Sequence, residues 1–252
     1  MSVMTAEIIY EHPLNEKIRT YLRIEHLLSQ LSAFSPAAEQ PQQLSFFTSL
    51  FALLDALERN DIRPDLLKDV ERCETQLVQW SSHPSVSDKK LQRLLQQALR
   101  LQTELMRSGK LIGQLKEDKF LAPLRQRFAL PGGCCFFDMP QLQYWLNLPE
   151  LEQQQQKSAW LAQVQLAQQA VDFVLGFIRE RGQFNDVHTD SGFYQQNAEQ
   201  FELLRIKYGL NCCSFPTVSG NRYRYAIRFM QLSEDAGRSA CADAVSFQLA
   251  CC

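Results

Sequence analysis

Three arginines stand at alternating positions in the stretch Asn221–Met230. Arg222, Arg224 and Arg228 share one parity with Ala226, and Tyr223, Tyr225, Ile227 and Phe229 take the other. A β-strand points successive side chains to opposite faces, so the spacing predicts a strand with an aromatic and β-branched core face and a guanidinium face. Arg222 and Arg224 would lie about 7 Å apart along it. Planar guanidinium forks fixed on a rigid element suit recognition of carboxylate or phosphate. No acidic residue occurs between Val218 and Gln231 to neutralise them. The alternative is a solvated face, or one paired with acids on a neighbouring strand. Arg19, Arg23 and His26 form a second basic stripe at helical spacing, with Arg19 and Arg23 a mildly unfavourable like-charge pair one turn apart. Arg125 and Arg127 sit where a helix should end, and there cations oppose the helix dipole.

Catalytic chemistry finds little support. The four histidines, His12, His26, His83 and His188, share no ligand spacing, and two of them precede proline. Nucleotide-binding glycine loops, H-E-x-x-H and G-x-S-x-G are all missing from the chain. Asp186, His188 and Asp190 alternate in a turn-rich stretch, which reads as a solvated hairpin, and Asp138 is a lone acid. Of the eight cysteines, three pairs are vicinal, a poor geometry for chelation or an unstrained disulfide. Reduced thiols are expected, with no metal and no cofactor. A nucleophile, base and oxyanion donor do not assemble in any recognisable order. The expectation is a non-enzyme.

The elements that must position these residues follow from periodicity. Glu7–Glu11 reads as a strand ended by Pro13, and Asn15 can cap the next helix, whose core face is Leu14, Ile18, Tyr21, Ile24, Leu28 and Leu31. Ser45 is expected to cap a second helix reaching Leu57, and Pro64 to open a third that runs to about Trp80. A fourth starts at Ser87 or Asp88 and stops before Gly109. A fifth spans about Leu111–Phe128 with a kink at Pro123. Pro131–Asp138 turns into a short strand at Cys134–Phe137, Pro140 starts a short helix through Trp145, and a long helix covers Lys157–Arg181, with Glu152–Gln156 as its exposed beginning. Beyond Gly182 turn residues become dense, and Phe201–Tyr208, Arg222–Met230 and Val245–Ala250 alternate like antiparallel strands, with Asp235–Arg238 a polar loop.

The fold class is therefore α+β: a mainly α-helical bundle over residues 13–182 and an antiparallel β-strand domain over 183–252, with 6–11 and 132–138 as further strands able to join the sheet. The 252 residues suffice for a sizeable core. A net charge of −2 argues against a general nucleic-acid coat and confines any anion site to a local patch. Neither a run of 18 apolar residues nor a secretory signal is visible, so a cytosolic location is expected.

Several stretches in order are distinctive: Glu11-His-Pro-Leu-Asn-Glu-Lys-Ile-Arg-Thr-Tyr-Leu-Arg-Ile-Glu25, Pro131-Gly-Gly-Cys-Cys-Phe-Phe-Asp-Met-Pro140, Gly192-Phe-Tyr-Gln195, Tyr225-Ala-Ile-Arg-Phe-Met230 and Leu249-Ala-Cys-Cys252. Together they resemble the ZapD family of Z-ring-associated bacterial cell-division proteins, across essentially the whole chain. The resemblance implies a homodimer recruited to midcell, without catalytic activity or cofactor. It also implies binding of the C-terminal tail of the tubulin-like protein FtsZ in a basic pocket, and bundling of FtsZ filaments. Its pocket positions fall here on Arg23, Lys119 and Arg224. A further position that can carry histidine is Gln143, so histidine-dependent pH sensitivity is not expected there. Lys119 lacks the bidentate fork of arginine. Local charge extends the set to Arg19, Arg125, Arg127, Arg222 and Arg228, with Tyr21 or Tyr225 as aromatic cover for apolar tail residues. From charge alone, the competing reading is a single-stranded nucleic-acid-binding module, with phosphates on the arginines and bases on the interleaved tyrosines. A third is thiol chemistry at the vicinal cysteines.

Overall fold

The computed structural model describes residues 7–36, 39–59, 61–81, 88–209, 214–221, 223–233 and 237–252. Arg222, Cys212, Cys213 and His83 lie outside the described residues. The fold is α+β. The chain divides into two compact units, Met1–Leu22 with Leu175–Cys252, and Arg23–Val174.

The first unit is a β-sandwich. Strand β1 (Glu7–Pro13) pairs antiparallel with β4 (Leu203–Gly209), which pairs with β8 (Val245–Cys251), which pairs with β2 (Asn185–Thr189). The second sheet runs β3 (Phe193–Asn197), β6 (Arg224–Ser233), β5 (Ser214–Gly220), with β7 (Gly237–Ala240) also on β6. The expected strand at 6–11 thus joins a sheet. The expected hairpin around His188 does not form, because β2 and β3 enter different sheets. The inner faces meet through Leu204, Ile206, Tyr208, Tyr225, Ile227, Phe229, Val245, Phe247 and Leu249. Ring centroids of Tyr208 and Phe229 lie 4.8 Å apart, and those of Phe229 and Phe247 5.1 Å. Gly192, at φ +58°, accepts the Phe229 N–H on its carbonyl oxygen at 2.8 Å; a Cβ there would stand 2.4 Å from the Cys241 carbonyl oxygen.

The outer face of the first sheet is self-neutralised. Glu11 on β1 accepts from Arg179 Nε and Nη2 at 2.9 and 2.6 Å, and from Arg205 Nε, its cross-strand partner, at 3.0 Å. Lys207 meets Glu7 at 2.6 Å, and Gln248 donates to Asp186 at 2.9 Å. Glu11 therefore ties the end of a helix to two strands. Glu11→Gln removes the charge that two partly buried guanidiniums share. Because all three groups keep some solvent access, about 2 kcal/mol of stability should be lost, below the range for a fully buried pair. Urea denaturation of the full chain checks this, and a loss under about 0.5 kcal/mol would show the triad to be screened like a surface pair.

The second unit is helical. Helix α1 (Glu16–Phe34) starts in the β unit, where Asn15 Oδ1 accepts the Ile18 N–H at 2.8 Å, the expected cap. Then follow α2 (Gln40–Arg59), α3 (Arg63–Trp80), α4 (Asp88–Arg107), α5 (Gly113–Lys116), α6 (Leu121–Phe128), α7 (Pro140–Leu146) and α8 (Glu150–Arg181). Ser45 does not cap α2. The helix starts earlier, and the Ser45 hydroxyl bonds back to the Pro41 carbonyl at 2.9 Å. The single helix expected at 111–128 is two. Asp118 breaks it, its carboxylate accepting the N–H groups of Phe120 and Leu121 at 2.8 and 2.9 Å, so Pro123 lies in the first turn of α6 and kinks nothing. The segment 132–138 is a chain of turns rather than a strand. Gly132 has φ +70°, and the N–H groups of Gly133, Cys135 and Asp138 bond to carbonyls three residues back at 2.9, 3.2 and 3.1 Å.

Phe47 of α2 occupies the centre of this unit's core, fully buried, among the rings of Phe46, Phe51, Phe120, Phe128, Trp145 and Trp160. Lys157 of α8 is buried beside it. Its ammonium lies 5.5 Å from the Phe46 ring centre and donates to the Ser35 carbonyl at 3.3 Å, beyond the end of α1. One stretch of α8 is long and apolar enough to cross a bilayer, but half of it is buried inside the fold, as in a globular core helix.

Candidate anion-recognition surfaces

The alternation around Arg224 is realised. Tyr225, Ile227 and Phe229 are buried, and Arg224 and Arg228 are exposed on the opposite face of β6. Asn221 Oδ1 accepts the N–H groups of Tyr223 and Arg224 at 2.9 and 3.2 Å and fixes the entry to the strand. Tyr223 departs from expectation: it precedes the strand and is 64% exposed rather than in the core.

Register defines what surrounds the arginines. On β3, Asn197 faces Arg224, Gln195 faces Ala226 and Phe193 faces Arg228; on β5, Thr217 faces Arg228 and Ser219 faces Ala226. Each neighbour is neutral. The Arg228 guanidinium lies 5.4 Å from the Phe193 ring centre. The hairpin to β7 then places Arg238 opposite Leu232, which is 81% exposed. Among the described residues, the outer face of this sheet carries Arg224, Arg228 and Arg238 with no carboxylate, next to exposed Leu232 and Phe193. On the first sheet Glu7 and Glu11 answer the cations, whereas among the described residues no carboxylate does so here. Arg238 and Leu232 escape sequence reading because 235–238 looks like a polar loop. The even-numbered parity running on through Met230 and Leu232 was the available signal.

The expected aromatic cover is withdrawn. Tyr21 and Tyr225 are fully buried. The Tyr225 hydroxyl donates inward to Gln196 Oε1 at 3.0 Å, and burial, followed by the contact with the Cys251 thiol, pushes its pKa far up. A phenol held this way offers no face to a nucleobase, so of the two interleaved tyrosines Tyr225 is withdrawn from stacking and Tyr223 stays at the surface.

Arg19, also in the β unit, is half-buried, with Nε 3.1 Å from Glu16. Burial, and then the charge of Arg19, lower the pKa of nearby His12.

In the helical unit, Arg23 is exposed on α1, Gln143 on α7 and Arg127 on α6. Lys119 is exposed on the turn between α5 and α6. Its position is anchored from below: Asp118 caps α6 and also accepts from Trp160 Nε1 at 3.2 Å, and Phe120 stacks on Trp160 at 5.8 Å. Phe120 and Trp145 are 6.0 Å apart, so the segments bearing Lys119 and Gln143 meet at one aromatic cluster. Arg125 is differently employed. Its Nε donates to Asp55 at 2.9 Å and its Nη2 to Glu58 at 2.6 Å, clamping α6 to α2.

Residues 22–228 match the ZapD family, described as a cell division protein. Over 250 residues the chain is 40% identical to Cell division protein ZapD of Escherichia coli O17:K52:H18 and to that of Shigella dysenteriae serotype 1, covering 99% of this chain and 100% of each relative. It is 39% identical to the Cronobacter sakazakii protein of the same name over 249 residues. The chain belongs to the ZapD family. Its role is accordingly in cell division.

Within this ZapD-family chain the Arg125 clamp has a pH signature. Hydrogen bonds from Lys116, then Arg125, hold the Glu58 carboxyl at about 2, below its ordinary 4.5. A carboxylate depressed on folding stabilises the fold above its unfolded pKa, and that contribution is lost as pH falls from about 4.5 through about 2. Arg125→Gln should raise the Glu58 midpoint toward the ordinary range, read by NMR titration of its side-chain carbon. An unmoved midpoint would mean that Lys116 alone sets it.

Proposed function

We propose that this chain is a non-enzymatic cell-division factor that binds the C-terminal tail of FtsZ through basic surface residues and, as a homodimer in the cytoplasm at the midcell Z-ring, cross-links and bundles FtsZ filaments. One observation carries the reading furthest: the outer face of the β3–β6–β5 sheet, with β7, displays arginines that no described carboxylate answers, beside exposed apolar side chains. That pairing fits a disordered peptide with acidic and apolar residues, whose carboxylates engage guanidinium forks while its apolar side chains lie on Phe193 and Leu232.

Arg224, Arg228 and Arg238 of the β unit, and Arg23 and Lys119 of the helical unit, are the assigned contacts, with Arg222, Arg127, Arg19 and Gln143 as flanking positions. Arg125, committed to Asp55 and Glu58, serves the fold first. Exposed ion pairs are each worth less than about 1 kcal/mol, and ordering the tail costs free energy, so one tail binds weakly. Two sites in a dimer meeting many tails on a filament convert weak contacts into durable cross-links through effective concentration. Dimerisation is then required for bundling, and the basic surface alone for binding.

Co-sedimentation with GTP-polymerised FtsZ tests this. The chain should pellet with intact FtsZ and stay in solution with FtsZ lacking its C-terminal tail, and pelleting should weaken as salt rises. Equal pelleting with both forms would move the contact to the globular domain and reject the tail reading.

A further inference from the structure

The segment Lys89–Lys110 holds six cations (Lys89, Lys90, Arg93, Arg100, Arg107 and Lys110) and one carboxylate, Glu104, in a chain whose net charge is −2. Most of it is α4, which separates its faces cleanly. Leu91, Ala98, Leu101, Gln102 and Leu105 are buried. At about 100° per residue, Lys89, Arg93, Arg100 and Arg107 fall within about 40° of one another on the opposite side, in a line about 27 Å long. All four are exposed. Arg100 meets Glu104 at 2.7 Å, and Lys89, Arg93 and Arg107 have no carboxylate partner among the described residues. Lys89 and Arg93 are like charges at i, i+4, a small local cost.

Apolar side chains accompany the line. Leu99 and Met106, one heptad apart on one flank, are 51% and 57% exposed. Helix α3 packs antiparallel on α4, with Arg63 Nη1 donating to the carbonyls of Leu105 and Ser108 at 3.0 and 3.3 Å. That register carries the far end of α3, with Val78 53% and Trp80 38% exposed, to the end of α4 that bears Lys89 and Lys90.

Helix α3 itself exposes Asp65 and Glu71, so the cationic face belongs to α4. We propose that the outward face of α4, flanked by the far end of α3, is a docking surface for an anionic phospholipid membrane. A straight line of cations on a convex helix touches a plane along its whole length, which suits a bilayer better than the curved path of a nucleic-acid backbone. Exposed Leu, Met and Trp beside cations suit an interface where apolar atoms enter the acyl boundary and the charges meet phosphates. A second copy is a poor occupant, since a two-fold contact of this face would set cations against cations. The docking is peripheral. The surface is separate from the arginines of β6 and does not depend on the tail reading.

The test is flotation of the full chain with vesicles of phosphatidylcholine alone or mixed with phosphatidylglycerol. Binding is expected only to the mixed vesicles, and it should weaken with salt. Arg93→Gln with Arg107→Gln should lower partitioning on the order of 30-fold, at about fivefold per cation removed. Leu99→Gln with Met106→Gln should lower it severalfold. Glutamine is a good helix former and all four positions are exposed, so helicity by circular dichroism should be unchanged. Arg224→Glu should leave partitioning intact. Wild-type binding that is absent from mixed vesicles, equal on both vesicle types, or insensitive to the Arg93/Arg107 pair overturns the proposal. So does binding of duplex DNA, with no binding to vesicles, that depends on the same pair.

Discussion

Arg224→Glu combined with Arg228→Glu is expected to abolish co-sedimentation with FtsZ filaments while leaving the thermal unfolding midpoint within a degree or two of the unmodified chain. Both side chains project from the face of β6 opposite its core residues, and both stand among neutral cross-strand neighbours, so the fold uses their charge only in the exposed contact of Arg228 with the Phe193 ring, worth about 0.5 kcal/mol. Reversal converts attraction for a carboxylate into repulsion, and avidity amplifies the loss: a tenfold fall in each single-site affinity becomes about a hundredfold for two sites engaged together. Arg224→Lys with Arg228→Lys separates charge from shape. If bidentate geometry matters, the lysine pair keeps only part of the binding; if charge suffices, it keeps nearly all. Unchanged pelleting of the double glutamate variant would remove this sheet face from the contact. A collapsed circular dichroism spectrum would instead give the arginines a structural role.

Phe47→Ala is expected to cost about 3–5 kcal/mol, the largest single-residue loss in the helical unit. Phe47 is fully buried, and its ring lies 5.1 Å from Trp145, 5.7 Å from Phe46 and 5.9 Å from Trp160. Close-packed aromatic neighbours relax only partly into the space left by a deleted ring, so a cavity term adds to the lost burial. Against a domain stability of about 5–15 kcal/mol, such a loss removes from about a fifth to all of it. Urea titration followed by tryptophan fluorescence reads it, because Trp145 and Trp160 belong to the cluster. The effect should reach the surface: Phe120, adjacent to Lys119, packs against the same rings, so tail binding should weaken even where the variant remains folded. Phe47→Leu, which keeps most of the volume, should lose much less. A loss under about 1 kcal/mol for the alanine would show that the neighbouring rings close the gap.

Strand β6 was legible because its signal is local. Parity of burial is written into consecutive residues, and Tyr225, Ile227 and Phe229 against Arg224 and Arg228 needed no knowledge of the rest of the chain. Helices α3, α4 and α8 and the Asn15 cap were readable for the same reason. Departures occur where a distant or merely short-range polar group decides. Asp118 ends one helix and starts another because its carboxylate is free to cap, a choice periodicity does not encode. The turn at Gly132 replaces an expected strand, and a Cβ on Gly133 would lie 1.8 Å from the Arg127 carbonyl oxygen, so the chain hugs the end of α6. The assignment of β2 and β3 to different sheets rests on pairing with β8 and β6, sequence-distant partners that no window contains. Among the basic residues, charge in the sequence did not distinguish Arg125, held by two carboxylates of α2, from Arg224, held by none among the described residues. Register and ion pairing made that distinction.

The position of β1 has a consequence for how the protein comes into being. Its partner β4 lies near residue 205, and β4 in turn needs β8, whose last residue is Cys251. Strand β8 runs between β4 and β2 in the middle of its sheet, so that sheet is incomplete until Val245–Cys251 has left the ribosome. Residues 23–174, by contrast, form a continuous unit that emerges whole long before. During synthesis the helical unit can therefore close on itself while the first strand remains an unpaired edge, with Ile8 and Ile9 available to any passing strand. A chain cut short before Val245 would leave β4 and β2 without the strand between them, and chaperone capture or aggregation, rather than a partly active fragment, is the fate such a chain meets.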